Sequence, residues 1–131
     1  DIFNEEYIYF TPRQEQIIAK FDRSQLIRVI TNLVKNSTQA LEQSSQENPR
    51  IDVCVFMEDG AAIITIEDNG IGISKDNEDK VFEPKFTTKN SGMGLGLAMV
   101  KSIVEAYGGS ISLLCSKDKN TIFKVSIPAL P

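Results

Sequence analysis

The stretch Ile51-Asp52-Val53-Cys54-Val55-Phe56-Met57-Glu58-Asp59-Gly60-Ala61-Ala62-Ile63-Ile64-Thr65-Ile66-Glu67-Asp68-Asn69-Gly70-Ile71-Gly72 decides the fold. Its first part alternates: Ile51, Val53, Val55 and Met57 share one side of an extended chain, while Asp52, Cys54 and Phe56 share the other, which is the period of a β-strand. Asp59-Gly60 suits a tight turn, so the following run over 61–67 returns as the partner strand of an antiparallel hairpin. Strand propensity stops at Asp68-Asn69-Gly70-Ile71-Gly72. The glycines there let the backbone come close to another group.

Before the hairpin, Leu26, Ile30, Leu33, Val34, Ala40 and Leu41 recur at helical spacing over 24–43, with Asp22 or Ser24 available as the N-cap. Residues 44–49 form a polar loop. The opening segment has short apolar runs at 7–10 and 17–21, separated by the proline-containing 11–15, which predict either two short strands or one hairpin. After the hairpin the pattern predicts a short third helix near 75–81, a glycine-rich loop region and a helix over 95–107. Leu97, Val100, Ile103, Val104 and Tyr107 share that helix's inner face, and Gly108-Gly109 ends it. Residues 110–115 and 121–127 form a closing hairpin around the charged turn 117–120. The sum is an α+β two-layer sandwich, a mixed and mostly antiparallel sheet of five or six strands packed on about three helices. No repeat or low-complexity tract divides the chain, so residues 1–131 form one domain.

Composition narrows the chemistry. The chain has 131 residues, 41% of them apolar, enough for one core, and its formal charge of −4 disfavours nucleic acid or anionic lipid as a broad partner. No apolar run approaches the roughly 20 residues of a membrane-spanning helix. Starting at Asp1 without a methionine, the chain reads as a segment of something longer. Cys54 and Cys115 lie far apart with no CxxC spacing, which predicts reduced thiols buried in the core. There is no histidine in the chain, so zinc sites and hydrolase triads are excluded.

Three motifs remain as candidates for function. Asn32 and Asn36 lie four residues apart on one helix face beside the apolar stripe, where amides contribute little packing and are suited to a ligand or metal. The plain alternative is two solvated amides. Asp68, at the end of a strand, offers a carboxylate acceptor for an exocyclic amine such as that of adenine, though an ordinary turn has the same sequence. Gly92-Met93-Gly94-Leu95-Gly96-Leu97 opens the second long helix, where free amides and the helix dipole favour phosphate. The spacing is neither the dinucleotide fingerprint nor the P-loop.

Taken in order, the helical Asn32 and Asn36, Asp68 to Ile73, Phe82-Glu83-Pro84-Lys85-Phe86 and the glycine run at 92–97 resemble the N, G1, F and G2 boxes of the GHKL superfamily, over nearly the whole chain. That resemblance implies the Bergerat sandwich fold, with ATP and Mg²⁺ as cofactors. It implies that Asp68 binds the adenine amine, with Gly72 nearby and Thr121 assisting through water, and that Asn36 coordinates Mg²⁺ with Asn32 in support. The amides of Gly94 to Gly96 would receive phosphate oxygens, and Lys89 either reaches the γ-phosphate or is a solvated loop lysine. Lys35, Gln39, Gly70, Ile73, Phe82, Thr88, Gly92, Leu95 and Leu97 complete the implied nucleotide set. Gln39 stands where many histidine kinases carry a basic residue, and the lid segment 87–91 is short.

Asn32 decides among the branches. The ATPase and serine-kinase branches carry a glutamate there as general base, and an amide cannot accept that proton. The pattern therefore looks like the catalytic domain of a sensor histidine kinase, and Asn32 and Asn36 are its expected catalytic pair. The resemblance implies a separate helical dimerisation domain bearing the acceptor histidine, a response-regulator receiver and a homodimeric full-length protein, with the fragment itself monomeric. It implies a cytoplasmic location, either free or as the cytoplasmic part of a membrane sensor. A GHKL ATPase and a degenerate nucleotide-binding module are the alternatives.

Overall fold

A computed structural model describes residues 8–12, 21–83, 93–115 and 119–129, with backbone alone at 8–12 and 93–95. In chain order the elements are β1 (Ile8–Pro12), α1 (Arg23–Glu42), β2 (Ile51–Glu58), β3 (Ala61–Asp68), α2 (Lys75–Glu78), α3 (Met93–Ala106), β4 (Ser110–Cys115) and β5 (Thr121–Pro128). The strands form one sheet in the order β1-β2-β3-β5-β4. Only the β1–β2 pairing is parallel among the described strands, and the other three are antiparallel. The expected mixed, mostly antiparallel sandwich is the architecture found.

α1 begins where the sequence offers a cap. Asp22 is the N-cap, and its Oδ1 accepts from the Ser24 and Gln25 amides at 2.9 and 3.2 Å. These bonds, led by that from the Ser24 side chain, hold the carboxyl below its ordinary range. The helix buries Val29, Leu33, Val34, Ser37 and Leu41 along one stripe and stops in the polar run after Glu42. α3 buries Leu97, Val100 and Val104 beside it. Gly108, at φ 78°, ends α3: its amide donates to Glu105 and that of Gly109 to Val104, each at 3.0 Å. Phe21 stacks on Tyr107 with ring centroids 4.0 Å apart, fastening the entry to α1 onto the end of α3.

The β2–β3 hairpin closes through Asp59 and Gly60 at φ 52° and 78°, the positive values that a two-residue turn of this hand requires. Alternation then sorts the sheet faces. Ile64, Ile66, Phe123, Val125 and Ile127 point toward the helices and form the core with Val29, Leu33, Val34, Val100 and Val104. Each fully buried aliphatic side chain contributes about 1.5–3 kcal/mol.

Two expectations are corrected here. The described opening strand pairs with β2 in parallel, and Phe21 is not in a strand; residues 17–20 lie outside the described residues. Pro12, which has no amide hydrogen to give to a ladder, is tolerated because β1 lies at the sheet edge. Neither cysteine is a buried core thiol: both are free, Cys54 half-buried and Cys115 exposed. Cys54 falls on the strand face opposite Ile51 and Val53, and Cys115 ends an edge strand.

Candidate nucleotide-binding site

The two asparagines are held by their own helix. The Asn32 amide nitrogen donates to the Arg28 carbonyl at 2.7 Å and the Asn36 amide nitrogen to the Asn32 carbonyl at 3.1 Å. With each NH₂ turned to the backbone, each side-chain oxygen faces the other way and is the atom available to a cation or donor. α3 comes up against this face. A β-carbon on Gly96 would lie 2.9 Å from Asn32 Oδ1, a distance that no ordinary side chain occupies. Gly96 therefore lets the first turn of α3, whose leading amides have no intrahelical partner, sit directly against Asn32. That juxtaposition puts anion-attracting amides and the dipole's positive end beside an amide oxygen.

Asp68 forms the other end of the site. It is only 2% exposed, and its Oδ1 accepts from the Gly70 amide at 2.9 Å. Burial pushes its carboxyl up from the ordinary value, and Glu67 adds to the rise, while the Gly70 amide and the Ser37 hydroxyl oppose it. Thr121 is its cross-strand partner on β5 and is itself buried. Gly72, at φ 79°, brings its backbone to the same place, where a β-carbon would be 3.9 Å from Thr121 Oγ1. Ser37, one residue beyond Asn36 on α1, is buried beside the carboxylate.

The loop after Asp68 is moored on two sides. Asn69 Oδ1 accepts from the Arg50 amide and its Nδ2 donates to the Asn48 carbonyl, both at 2.9 Å. The Ile71 amide donates to the Ala40 carbonyl at 3.2 Å, and a β-carbon on Gly70 would lie 2.6 Å from the Ala40 carbonyl carbon. Gly70 is thus needed for contact with α1, and its free side is filled by protein.

The structure brings Asn32, Asn36, Asp68, Gly72, Gly96 and Thr121 along one seam, running from the start of α3 across α1 to the ends of β3 and β5. Phe82 packs against the core edge-on to Phe123, with centroids 6.1 Å apart, Ile73 also packs there, and Leu97 is buried within it. These three support the walls. Lys35 is exposed, and Gln39 is half-buried one turn before the end of α1. Gly94 and Leu95 belong to the first turn of α3, while Thr88, Lys89, Gly92 and the lid segment lie outside the described residues. Sequence reasoning missed Ser37. Its signal was a polar residue on the apolar stripe between Leu33 and Leu41. A depression of about 350 Å³ lined by Glu58, Ile63, Lys124 and Ser126 lies on the opposite face of the sheet.

The arrangement has a buried carboxylate acceptor, an amide-oxygen pair and a helix N-terminus. Residues 21–131 match the family of histidine kinase-, DNA gyrase B- and HSP90-like ATPases, and the chain belongs to that family. It is 38% identical over 108 residues to the sensor histidine kinase ZraS of Escherichia coli, covering 82% of this chain and 22% of that protein. It is 34% identical over 103 residues to the sensor protein TdiS of Thauera aromatica, covering 77% of this chain and 19% of that protein. The chain thus spans about a fifth of the length of these relatives. Among solved structures, the catalytic domain of histidine kinase ThkA superposes with a TM-score of 0.79 at 28% identity, covering 92% of this chain and 77% of that one. The mycobacterial sensor histidine kinase MprB superposes at 0.74 and 26%, covering 95% and 83%. Among the described residues, no helix is long and apolar enough to cross a membrane.

Proposed function

We propose that this chain binds Mg-ATP and presents its γ-phosphoryl group to a histidine on a separate helical dimerisation domain, as the catalytic domain of a two-component sensor kinase. The observation that carries the reading is the contact between Asn32 and the first turn of α3. It joins phosphate-binding amides to an amide side chain, so that phosphate is held without a base to activate water. Asp68 accepts from the adenine amine, and the Thr121 hydroxyl and the Gly72 backbone bound the ring. The α3 amides take the phosphate oxygens. Lys35, Thr88 and Lys89 are proposed as outer phosphate contacts.

The donor set fits a hard divalent cation. Asn36 turns its one side-chain oxygen away from the helix because its nitrogen is bonded to Asn32, and oxygen is the ligand Mg²⁺ takes. Bound with the triphosphate, Mg²⁺ would neutralise its charge. The chain's own residues contribute position: they fix the adenine at one end and aim the phosphate chain out of the seam. The chain has no histidine, so the acceptor comes from outside it, in a homodimer whose phosphoryl group passes on to a response-regulator receiver. A cytoplasmic location follows from the need for ATP.

The test is a calorimetric titration with a non-hydrolysable Mg-ATP analogue and Mg-ADP, alongside Mg-GTP and a magnesium-free control. Saturable, magnesium-assisted binding that prefers adenine is the expected result. A second arm adds the parent protein's histidine-bearing helices and follows labelled γ-phosphate onto protein. A folded chain that binds no adenine nucleotide overturns the reading, and rapid ATP hydrolysis by the chain alone favours an ATPase.

A further inference from the structure

Residues four apart on a helix form a row along its surface, and α1 carries two such rows side by side. One is Ser24, Arg28, Asn32 and Asn36, which meets α3 at Met99 and Gly96. The other is Arg23, Ile27, Thr31 and Lys35, of which Thr31 is half-buried and the rest are exposed. Ile27 is 55% exposed. A β-branched side chain there does not favour the helix and gives apolar surface to water. The cations around it are unpaired: among the described residues, none of Arg23, Arg28 and Lys35 forms an ion pair, and α1 has no acidic residue before Glu42. Arg28 donates to Met99 Sδ at 2.9 Å, a weak acceptor, and its fork has further donors. A chain of net charge −4 thus sets three cations and an uncovered isoleucine on the surface that borders Asn32.

We propose that the first half of this outer row is the docking surface for the helix that carries the acceptor histidine, and that this helix covers Ile27 with an apolar side chain and meets Arg23 and Arg28 with carboxylates. The inference rests on the phosphotransfer reading above and deepens it by assigning the partner's surface. Position chooses the occupant. The phosphate end of the seam lies where Asn32 meets the first turn of α3, so the group that takes the γ-phosphoryl must come to that point, and the helix bearing it passes the adjoining row. The chain has no histidine, so that helix is a separate element. Shape and charge then fit: a row of four-residue spacing is the form that enters a groove on another helix, and unpaired cations on both sides of an apolar centre call for an acidic partner. Ile27 loses water on docking and supplies affinity, while the two arginines at the rim orient the encounter. Lys35, at the far end of the row, stays with the phosphate.

The experiment follows labelled γ-phosphate from Mg-ATP onto the parent protein's histidine-bearing helices at varied helix concentration. It compares the wild-type chain with Ile27→Glu, Ile27→Ser, Arg23→Glu and the control Lys101→Glu, an exposed charge two residues beyond Met99 and so on the other side of α3. Mg-ADP affinity and melting temperature are measured on the same samples. Ile27→Glu and Arg23→Glu should raise the KM for the helices roughly tenfold, the loss of one anchoring side chain, and leave kcat and Mg-ADP affinity unchanged. Ile27→Ser, which removes the apolar contact without adding charge, should raise KM by less. Between about 50 and about 300 mM salt, transfer by the wild type should slow more than transfer by Arg23→Glu. Lys101→Glu should behave as the wild type. Wild-type KM in Ile27→Glu overturns the proposal. So does a loss confined to kcat, an equal loss in Lys101→Glu, or a fall in Mg-ADP affinity, which places the row in the nucleotide site instead. A wild-type chain that binds Mg-ADP yet phosphorylates no helix refutes the transfer reading itself, and this inference with it.

Discussion

Gly96→Ala separates fold from function at a single carbon atom. The added methyl would sit 2.9 Å from Asn32 Oδ1, inside the contact limit, and the rigid first turn of α3 leaves the asparagine to give way. To do so it must surrender its 2.7 Å bond to the Arg28 carbonyl, a loss of about 0.5–1.5 kcal/mol. Against this, replacing glycine by alanine in a helix gains about 0.5–1 kcal/mol. The two nearly cancel, so the melting temperature should move by only a few degrees, by roughly 4 °C at most. Nucleotide affinity has no such compensation. Displacing Asn32 and parting α3 from α1 forfeits at least one hydrogen bond to a charged phosphate, about 1.5–3 kcal/mol, or roughly tenfold to a hundredfold in affinity. Calorimetric titration and thermal denaturation of the same sample read both quantities. A folded Gly96→Ala chain with wild-type affinity for the Mg-ATP analogue would falsify the assignment of this contact as the phosphate end of the site.

Asp68→Asn should lose roughly tenfold or more in adenine-nucleotide affinity while making the empty domain more stable at pH 7, because the asparagine still accepts from the Gly70 amide and carries no buried charge. The pH dependence has a definite sign. The folded carboxyl lies above its unfolded value near 3.8, so its burial penalty is full above the folded value and is relieved as pH falls through it. The stability advantage of the variant should therefore shrink on acidification, and chemical denaturation across pH 4 to 8 measures it; a gap that widens toward acid contradicts the burial argument. Gly70→Ala forces a β-carbon to 2.6 Å from the Ala40 backbone and should cost about 1–3 kcal/mol, seen as a lower denaturation midpoint. Leu33→Ala, at a fully buried core position, should cost about 2–5 kcal/mol by the same assay, and a smaller loss would mean that the helix stripe is not packed as described.

Local chemistry made the elements legible, and tertiary contact hid the rest. The hairpin from Ile51 to Asp68 could be read because alternation and an Asp-Gly turn both act within a few residues. α1 could be read because Asp22 and the apolar stripe act within one helix. The parallel pairing of β1 with β2 could not, because a whole helix intervenes and nothing local sets that register. Cys54 was expected in the core although alternation sets it with Asp52, away from the core face, because its strand has apolar residues on both sides, Phe56 as well as Val53. At the site, the order of the motifs named Asn32, Asn36, Asp68 and Gly96, but the meaning of two glycines required the partner surface. Gly70 exists for Ala40 and Gly96 for Asn32, contacts between segments 30 or more residues apart in sequence. Ser37 carried a signal, a hydroxyl on an apolar stripe, which gains meaning only once Asp68 is seen beside it.

The backbone bonds made by Asn32 and Asn36 have a consequence for the entropy of binding. A side chain that must be immobilised by its ligand takes about 0.5–1.5 kcal/mol from the affinity. Here both amides are already fixed by carbonyls of their own helix, so neither rotor remains to be frozen when a ligand arrives. The ordering of these two groups was completed during folding, and contact with a cation or phosphate can appear almost undiminished in the binding constant.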